Sequence, residues 1–143
     1  MQEVSVVIPN FNGMAYLDGV LSSLERQTIR NFEVILVDNG STDGSCAFVS
    51  AEYPWVHMIQ LPENYGFSRA VNEGIRAARS PYVLLLNNDT EAEPDFLEEM
   101  VAALRRHKKA FSCQAKMIQL HDRDKMDDAG NYYCALGWAF ARG

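Results

Sequence analysis

The sequence has few cysteines and no long apolar run. Its 143 residues include three cysteines, Cys46, Cys113 and Cys134, which are far apart and form no C-x-x-C pair. They indicate neither a zinc site nor a disulfide framework, so we expect a reducing, cytoplasmic location, with or without attachment to the inner face of a membrane. No stretch approaches the roughly 20 apolar residues that a membrane-spanning helix needs, and the N-terminus shows no secretion signal.

Positive charge is also scarce. The net charge is −6, and no lysine occurs before Lys108. A general nucleic-acid binder usually presents a basic face, so the sequence predicts no nucleic-acid partner. A phosphotransfer domain with Asp38 as nucleophile would need a lysine near the same sheet edge, and none is available there. After the first apolar run the sequence has neither the G-x-G-x-x-G of a dinucleotide-binding domain nor the glycine-rich basic loop of a nucleotidyltransferase.

Short β-branched runs alternate with helical periodicity along the first hundred residues. The pattern predicts four strands, at Val4–Ile8, Phe32–Val37, Val56–Leu61 and Tyr82–Leu86. Because these runs are continuously apolar, they indicate an α/β fold with a parallel sheet covered by helices on both faces. The first strand is expected to end at Pro9. Two further stretches, Cys113–Leu120 and Leu136–Ala141, could be strands.

Polar residues follow each predicted strand, at the edge where such sheets bind ligands. After the first strand stand Pro9, Asn10, Phe11 and Asn12. They could be a strand terminator with a helix cap, or they could bracket a planar base, with Phe11 stacking on it. Asp38 follows the second strand. It could belong to an Asx turn, or it could accept from the imide N–H of uracil or thymine.

The third and fourth strands are followed by candidates for phosphate and metal binding. Gly66 lies after Asn64 and just before a helix, where backbone N–H groups attract an anion. Arg69, on the first turn, could equally pair with a phosphate or be a surface arginine. Asn88 and Asp89 follow the fourth strand. They could form a turn, or they could serve the ligand, with Asn88 binding the nucleotide and Asp89 binding Mg²⁺ or Mn²⁺ together with substrate phosphates.

Jointly, these segments resemble family 2 glycosyltransferases. The matching pieces are V-S-V-V-I-P-x-F-N from Val4, V-D-N-G-S-T-D-G from Val37, N-x-G-F from Asn64 and L-N-N-D from Leu86. The resemblance implies a GT-A fold, which is Rossmann-like and mostly parallel. It also implies a nucleotide-diphosphate sugar donor, UDP- or dTDP-linked, and usually inversion at the anomeric carbon. By this analogy Phe11 and Asp38 hold the base, and Asp89 holds the metal.

The family pattern is altered at the metal motif, because Asn87 replaces the first Asp of D-x-D. This form resembles that of bacterial members that make cell-surface polysaccharide, including rhamnosyltransferases. The family's general base is expected beyond residue 143. We therefore predict that residues 1–143 are a single nucleotide-sugar-binding domain, truncated from a longer enzyme, which binds donor but transfers sugar poorly to a saccharide or lipid-linked acceptor.

A non-catalytic nucleotide-sugar-binding module or scaffold is the alternative, since the residues that would decide lie outside this sequence. The aromatic residues near its end could line an acceptor groove. Left bare, they would instead favour self-association of the chain. They are Tyr132, Tyr133, Trp138 and Phe140.

Overall fold

The computed structural model describes residues 2–128, with side chains through residue 127, and the backbone of two further strands. The chain divides into two compact units, Met1–Leu97 and Glu98–Gly143. The sequence predicts one domain over this span, and every predicted site residue lies in the first unit. That unit contains β1 (Val4–Asn10), α1 (Met14–Glu25), β2 (Phe32–Asp38), α2 (Ser45–Glu52), β3 (His57–Gln60), α3 (Phe67–Ala77) and β4 (Tyr82–Leu85).

The four strands of the first unit form one parallel sheet in the order β3-β2-β1-β4. Strand β1 pairs with β2 from Val4↔Phe32 to Asn10↔Asp38, and with β4 from Val4 onward. Right-handed crossovers put α1 and α2 on one face of the sheet. The chain then crosses back over the sheet, so α3 covers the opposite face and contacts β1 and β2. The strand order reverses between β1 and β4, which is where such sheets form a ligand crevice.

The inner strands β1 and β2 carry the core of this unit. On the α3 face, Ile35 and Val37 pack with Ala70 in a buried cluster. On the opposite face, Ile8 and Leu36 are also fully buried. Each such side chain stabilises the fold by roughly 1.5–3 kcal/mol relative to an exposed one. Burial on both faces explains why the central residues of these strands, 6–8 and 34–37, are all apolar.

Strand β1 does not end at Pro9 as predicted but continues to Asn10. Alternate residues of β1 bond to opposite neighbours. The Val7 carbonyl accepts the Leu86 N–H at 3.0 Å, whereas the Asn10 carbonyl accepts the Asn39 N–H at 2.8 Å. Pro9 alternates with Asn10, so its nitrogen lies on the β4 side, where that strand has ended. The proline therefore removes no ladder hydrogen bond.

The outer strands are less buried than their sequences suggest. Val83 and Leu85 of β4 are exposed, because alternate side chains of this edge strand have no helix over them in the described structure. Within the described residues, no helix combines the length and hydropathy needed to cross a bilayer.

The second unit is built from small antiparallel pairs. Helix α4 (Phe96–Arg106) leads into it, followed by β5 (Met117–Ile118), β6 (Met126–Asp128), β7 (Asn131–Tyr133) and β8 (Ala139–Ala141). Strand β5 pairs with β6, and β7 pairs with β8. The strand predicted at Cys113–Leu120 is wrong except for β5, because polar residues interrupt its apolar run. The strand predicted at Leu136–Ala141 is present as β8, with residues 136–138 outside the described part.

Gly74 sets the closeness of α3 to the sheet. A Cβ at this position would overlap Val7 Cγ1 and lie 3.1 Å from Val37 Cγ2. We predict that Gly74→Ala lowers the free energy of unfolding by about 1–3 kcal/mol, as overpacking does, despite the better helix propensity of alanine. Urea unfolding measures this. Asn72→Ala, exposed on the same helix, is the control and should leave stability unchanged or raise it. Equal stability of Gly74→Ala and wild type would contradict the prediction.

Candidate active site

A cleft of about 420 Å³ opens at the carboxyl ends of the strands, beside the switch point between β1 and β4. Two exposed aromatic side chains lie in its lining: Phe11 follows β1 and is 47% exposed, and Phe67 begins α3. The remaining lining is mostly amide and small: Pro9, Asn10, Asn39, Asn64, Gly66, Ala70, Asn87, Asn88 and Asp89.

Most residues predicted for the site lie in this lining. They are Pro9, Asn10, Phe11, Asn64, Gly66, Asn88 and Asp89. Asn12, Asp38 and Arg69 are not among the lining residues. Sequence reasoning assigned no site role to Asn39 or Phe67, although both belong to the segments that carry the family resemblance.

Asp38 is buried beneath the cleft, with 2% of its surface exposed. Its Oδ1 accepts Asn10 Nδ2 at 2.9 Å, and its Oδ2 accepts the Ser41 N–H at 3.0 Å. Burial raises the pKa of Asp38, but hydrogen bonds from Ser41, Asn10 and Cys46 outweigh it and hold the pKa below the usual 3.8. The ionised form therefore stabilises the fold at neutral pH, and this contribution is lost as the pH falls from 3.8 toward the lower folded value.

Asn10 connects Asp38 to the end of β4. Its Nδ2 also lies 3.3 Å from Ser41 Oγ, and its Oδ1 accepts Asn88 Nδ2 at 2.8 Å. The two amides pass directly over Gly13, where a Cβ would overlap both Asn88 Nδ2 and Asn10 Oδ1. Glycine is required at residue 13 because the amides approach the backbone so closely.

Asn39 shapes the loop that follows β3. Its Nδ2 donates to Asn64 Oδ1 at 2.8 Å and to the Gly66 carbonyl at 3.2 Å, and its Oδ1 accepts the Tyr65 N–H at 3.0 Å. Asn64 Oδ1 also accepts the Gly66 N–H at 2.8 Å. Gly66 adopts φ 86° and ψ 162°, a region open essentially to glycine alone. This loop therefore depends on both the Asn39 amide and a glycine.

Asn12 lies outside the lining and shapes the loop between β1 and α1. It adopts a left-handed φ of 49°, its N–H donates to Ser41 Oγ at 2.8 Å, and its Oδ1 accepts the Thr42 N–H at 2.9 Å. Nearby, Asp43 Oδ2 accepts the N–H of Met14, the first residue of α1, at 2.9 Å. These bonds join the loop after β1 to the loop after β2.

Arg69 points to surface partners. Its guanidinium lies 4.0 Å from the centre of the Tyr65 ring, and its Nε is 3.9 Å from Glu73 Oε1. The side chain is 56% exposed. Of its two interpretations, the described contacts favour a surface arginine that stacks on an aromatic ring.

The segment after Asp89 is held from below by a buried glutamine. Gln27 lies just beyond α1, and its Nε2 donates to the Glu93 carbonyl at 2.8 Å. Its Oε1 accepts the Leu97 N–H at 2.9 Å. One carboxamide thus ties the end of the loop before α4, and the first turn of α4, to the residue pair that follows α1.

Among the residues that the structure describes, Asp89 is the one carboxylate in the lining of the cleft. Across the described residues, no three His, Cys, Asp or Glu side chains gather that could hold a metal ion by themselves. Amide oxygens and one carboxylate are the hard ligands that Mg²⁺ accepts when a phosphate ligand supplies the rest. The lining fits a cation that binds together with a phosphorylated ligand.

Comparison with known proteins decides the family. The family model described as glycosyl transferase family 2 matches residues 5–139. The chain belongs to glycosyl transferase family 2. Among its relatives, the putative teichuronic acid biosynthesis glycosyltransferase TuaG of Bacillus subtilis is 29% identical over 128 residues, covering 87% of this chain and 50% of TuaG. The putative glycosyltransferase EpsH of the same organism is 34% identical over 101 residues, 68% of this chain and 29% of EpsH. This family 2 chain spans half or less of these relatives.

Solved structures confirm the predicted GT-A fold of this family 2 chain. TarS of S. aureus superposes with a TM-score of 0.69 at 23% identity, covering 82% of this chain and 24% of TarS. The mannosyltransferase PcManGT of Pyrobaculum calidifontis, solved in complex with GDP-Man and Mn²⁺, gives a TM-score of 0.65 at 25% identity, covering 71% of this chain and 32% of PcManGT.

Cys46 reports on the buried carboxylate. Burial, a hydrogen bond to Asp38 and the charges of Asp38 and Asp43 raise the pKa of the thiol to about 11. Because the thiolate is the reactive form, we predict slow alkylation by iodoacetamide at neutral pH in a Cys113→Ser/Cys134→Ser background. Asp38→Asn should shift the midpoint of the alkylation rate–pH profile to lower pH, because the carboxylate that accepts from the Cys46 thiol and its negative charge are lost. A wild-type midpoint near the ordinary thiol value of about 8.5 would disprove this.

Proposed function

We propose that the cleft binds a nucleotide-diphosphate sugar and that the protein transfers the sugar to a saccharide or lipid-linked acceptor. One observation carries the proposal: an exposed aromatic ring, several amides and a single carboxylate share one cleft at the switch point of a parallel sheet. Two relatives in fold support the donor class, since TarS has been solved with UDP-GlcNAc and PcManGT with GDP-Man and Mn²⁺.

The nucleobase of the donor is proposed to bind between Phe11 and the loop after β3. Phe11 offers an exposed ring on which a base can stack. Asn64 uses its Oδ1 for two internal bonds, so its Nδ2 is the end that can donate to a base carbonyl, as uracil and thymine offer. The predicted contact between Asp38 and the imide N–H stays a prediction. In the described structure this carboxylate is buried and accepts hydrogen bonds from Asn10 and Ser41 instead.

The diphosphate is proposed to bind at Asp89 together with Mg²⁺ or Mn²⁺. Neither lysine nor arginine belongs to the described lining of the cleft, so the chain itself brings no positive charge to the phosphates there. When bound, the cation would neutralise the diphosphate as it leaves the sugar. Because Asn87 is neutral, Asp89 alone supplies a formal charge, and we expect cation and nucleotide to bind together.

The acceptor hydroxyl would attack the anomeric carbon as the diphosphate leaves, with inversion. This step needs a general base to take the hydroxyl proton. We assign Asp89 to the cation, so we infer that the base comes from a carboxylate outside the described lining. TuaG, named for teichuronic acid biosynthesis, supports a role in cell-wall or surface polysaccharide synthesis. We propose a cytoplasmic location for that role, with or without attachment to the inner face of the membrane. A non-catalytic module would bind donor equally well and never release sugar to an acceptor.

The metal assignment predicts a specific loss on substitution of Asp89. We expect calorimetric titration with UDP or dTDP to show binding that Mn²⁺ or Mg²⁺ strengthens, and Asp89→Ala to abolish that strengthening, with affinity falling roughly tenfold or more. Asp95→Ala is the matched control, since this exposed carboxylate lies outside the lining. A folded wild-type sample that bound no nucleotide at millimolar concentration would refute the proposed function for this chain.

The proposed stacking of the nucleobase on Phe11 predicts a separate loss of nucleotide affinity when Phe11 is replaced. Stacking of a base on an aromatic side chain contributes about 1–3 kcal/mol, so Phe11→Ala should weaken UDP binding about tenfold with or without metal. Tyr16→Ala is the control, because Tyr16 is exposed on α1 but does not line the cleft. If both variants bound UDP equally, Phe11 would not be the stacking residue.

A further inference from the structure

The hydrogen bonds from Asp38 to Asn88 have a direction that chemistry dictates. A carboxylate only accepts hydrogen bonds, whereas a carboxamide has a donating nitrogen and an accepting oxygen. Asp38 Oδ1 lies 2.9 Å from the Asn10 side chain. Asn10 must therefore turn its Nδ2 toward Asp38 and its Oδ1 the other way.

The same logic passes to Asn88. Asn10 Oδ1 accepts only, and its partner at 2.8 Å is the Asn88 side chain. Asn88 must therefore turn its Nδ2 inward, which leaves its Oδ1 as the outward end of the carboxamide. Asn88 and its neighbour Asp89 both line the cleft. A buried charge at the end of β2 thus decides which atom of Asn88 a ligand meets.

We propose that Asp38 is a positioning residue that acts through Asn10 to present the carboxamide oxygen of Asn88 to the cleft, beside the carboxylate of Asp89. This oxygen gives a lone pair to a cation or to a hydroxyl hydrogen of the bound nucleotide. The inference rests on the proposed function for the ligand, but the orientation itself is a property of the free protein.

Burial makes this control effective. Asn10 and Asp38 are each 2% exposed, so water cannot substitute for a mismatched partner, and an unpaired buried polar atom is costly. The Ser41 N–H adds a second constraint, because it donates to Asp38 Oδ2 at 3.0 Å. In Asp38→Asn, the new amide would keep its oxygen on this N–H. Its nitrogen would then face Asn10 and reverse both amides, turning the nitrogen of Asn88 to the cleft.

This reversal suggests a rescue experiment. In the wild-type background, Asn88→Asp sets a carboxylate oxygen against Asn10 Oδ1, an acceptor against an acceptor. In the Asp38→Asn background, the reversed Asn10 donates to that carboxylate, whose second oxygen still faces the cleft. We expect Asn88→Asp to lower the Tm of the ligand-free chain by about 4 °C. Asp38→Asn should lower it less, because its reversed amides stay paired and only the carboxylate charge is lost. The double variant should recover most of the summed loss.

The matched control replaces another carboxylate of the same turn. Asp43 bonds to Met14 and not to Asn10, so Asp43→Asn and Asn88→Asp should lower the Tm additively. Additive losses for Asp38→Asn with Asn88→Asp would overturn the proposal. So would unchanged stability of both single variants. These Tm measurements use the ligand-free chain, so they test the orientation of the amides even if the wild type binds no nucleotide. Absence of nucleotide binding would overturn only the proposed function.

Binding then tests what the Asn88 oxygen contacts. We expect Asp38→Asn to weaken UDP binding in the presence of Mn²⁺ roughly tenfold, and the double variant to restore it to within about threefold. If Asp38→Asn weakens UDP binding only in the presence of Mn²⁺, the Asn88 oxygen contacts the cation. If it weakens UDP binding equally without metal, the oxygen contacts a hydroxyl of the nucleotide. UDP affinity that is unchanged in Asp38→Asn, with and without Mn²⁺, would overturn the role of this oxygen in the cleft.

Discussion

The placement of β1 between β2 and β4 is the constraint on which the rest of the structure depends. Parallel pairing on both sides brings Asn10, Asp38 and Asn88 within hydrogen-bonding distance although 28 and 78 residues separate Asn10 from the other two. Parallel strands need crossovers, and those crossovers carry the helices that bury the sheet. The same pairing that forms the core therefore gathers the polar groups at one edge.

The polar edge is built mainly from amides that satisfy one another. Asn10 and Asn39 each use both ends of the carboxamide inside the protein, so they hold neighbours in place and have little capacity left for a ligand. In the described lining, the groups that can meet a ligand include the aromatic rings, the outward ends of the Asn64 and Asn88 carboxamides, and the carboxylate of Asp89. On the proposed function, this division would let a chain of net charge −6 accept a diphosphate, because the amides form a frame in advance and one carboxylate would hold a cation.

Much of the first unit can be predicted from sequence, because its inner strands are buried on both faces and read as continuous apolar runs. Phe11 follows the inner strand β1, and Asn88 and Asp89 follow the edge strand β4, whose sequence is equally apolar, so topology alone brings all three to the cleft. The sequence could not show that Asn39 lines the cleft while Asp38 is buried beneath it. Adjacent side chains of an extended segment face opposite sides, and the sequence does not tell which side faces the cleft. The orientation of the Arg69 side chain could not be predicted either, because it is set by contacts with Tyr65 and Glu73. The second unit has short strands interrupted by polar residues, which give little periodic signal.

The carboxamide of Gln27 has a thermodynamic consequence for ligand binding. It holds Glu93 and Leu97 through bonds that exist before any ligand arrives. Ordering a loop on binding normally opposes affinity, by about 1–2 kcal/mol of conformational entropy for each residue immobilised. Here that entropy is lost during folding, so on the proposed function the chain that follows Asp89 would add less ordering cost to donor binding. Affinity at this cleft would then depend in part on the buried glutamine just beyond the first helix.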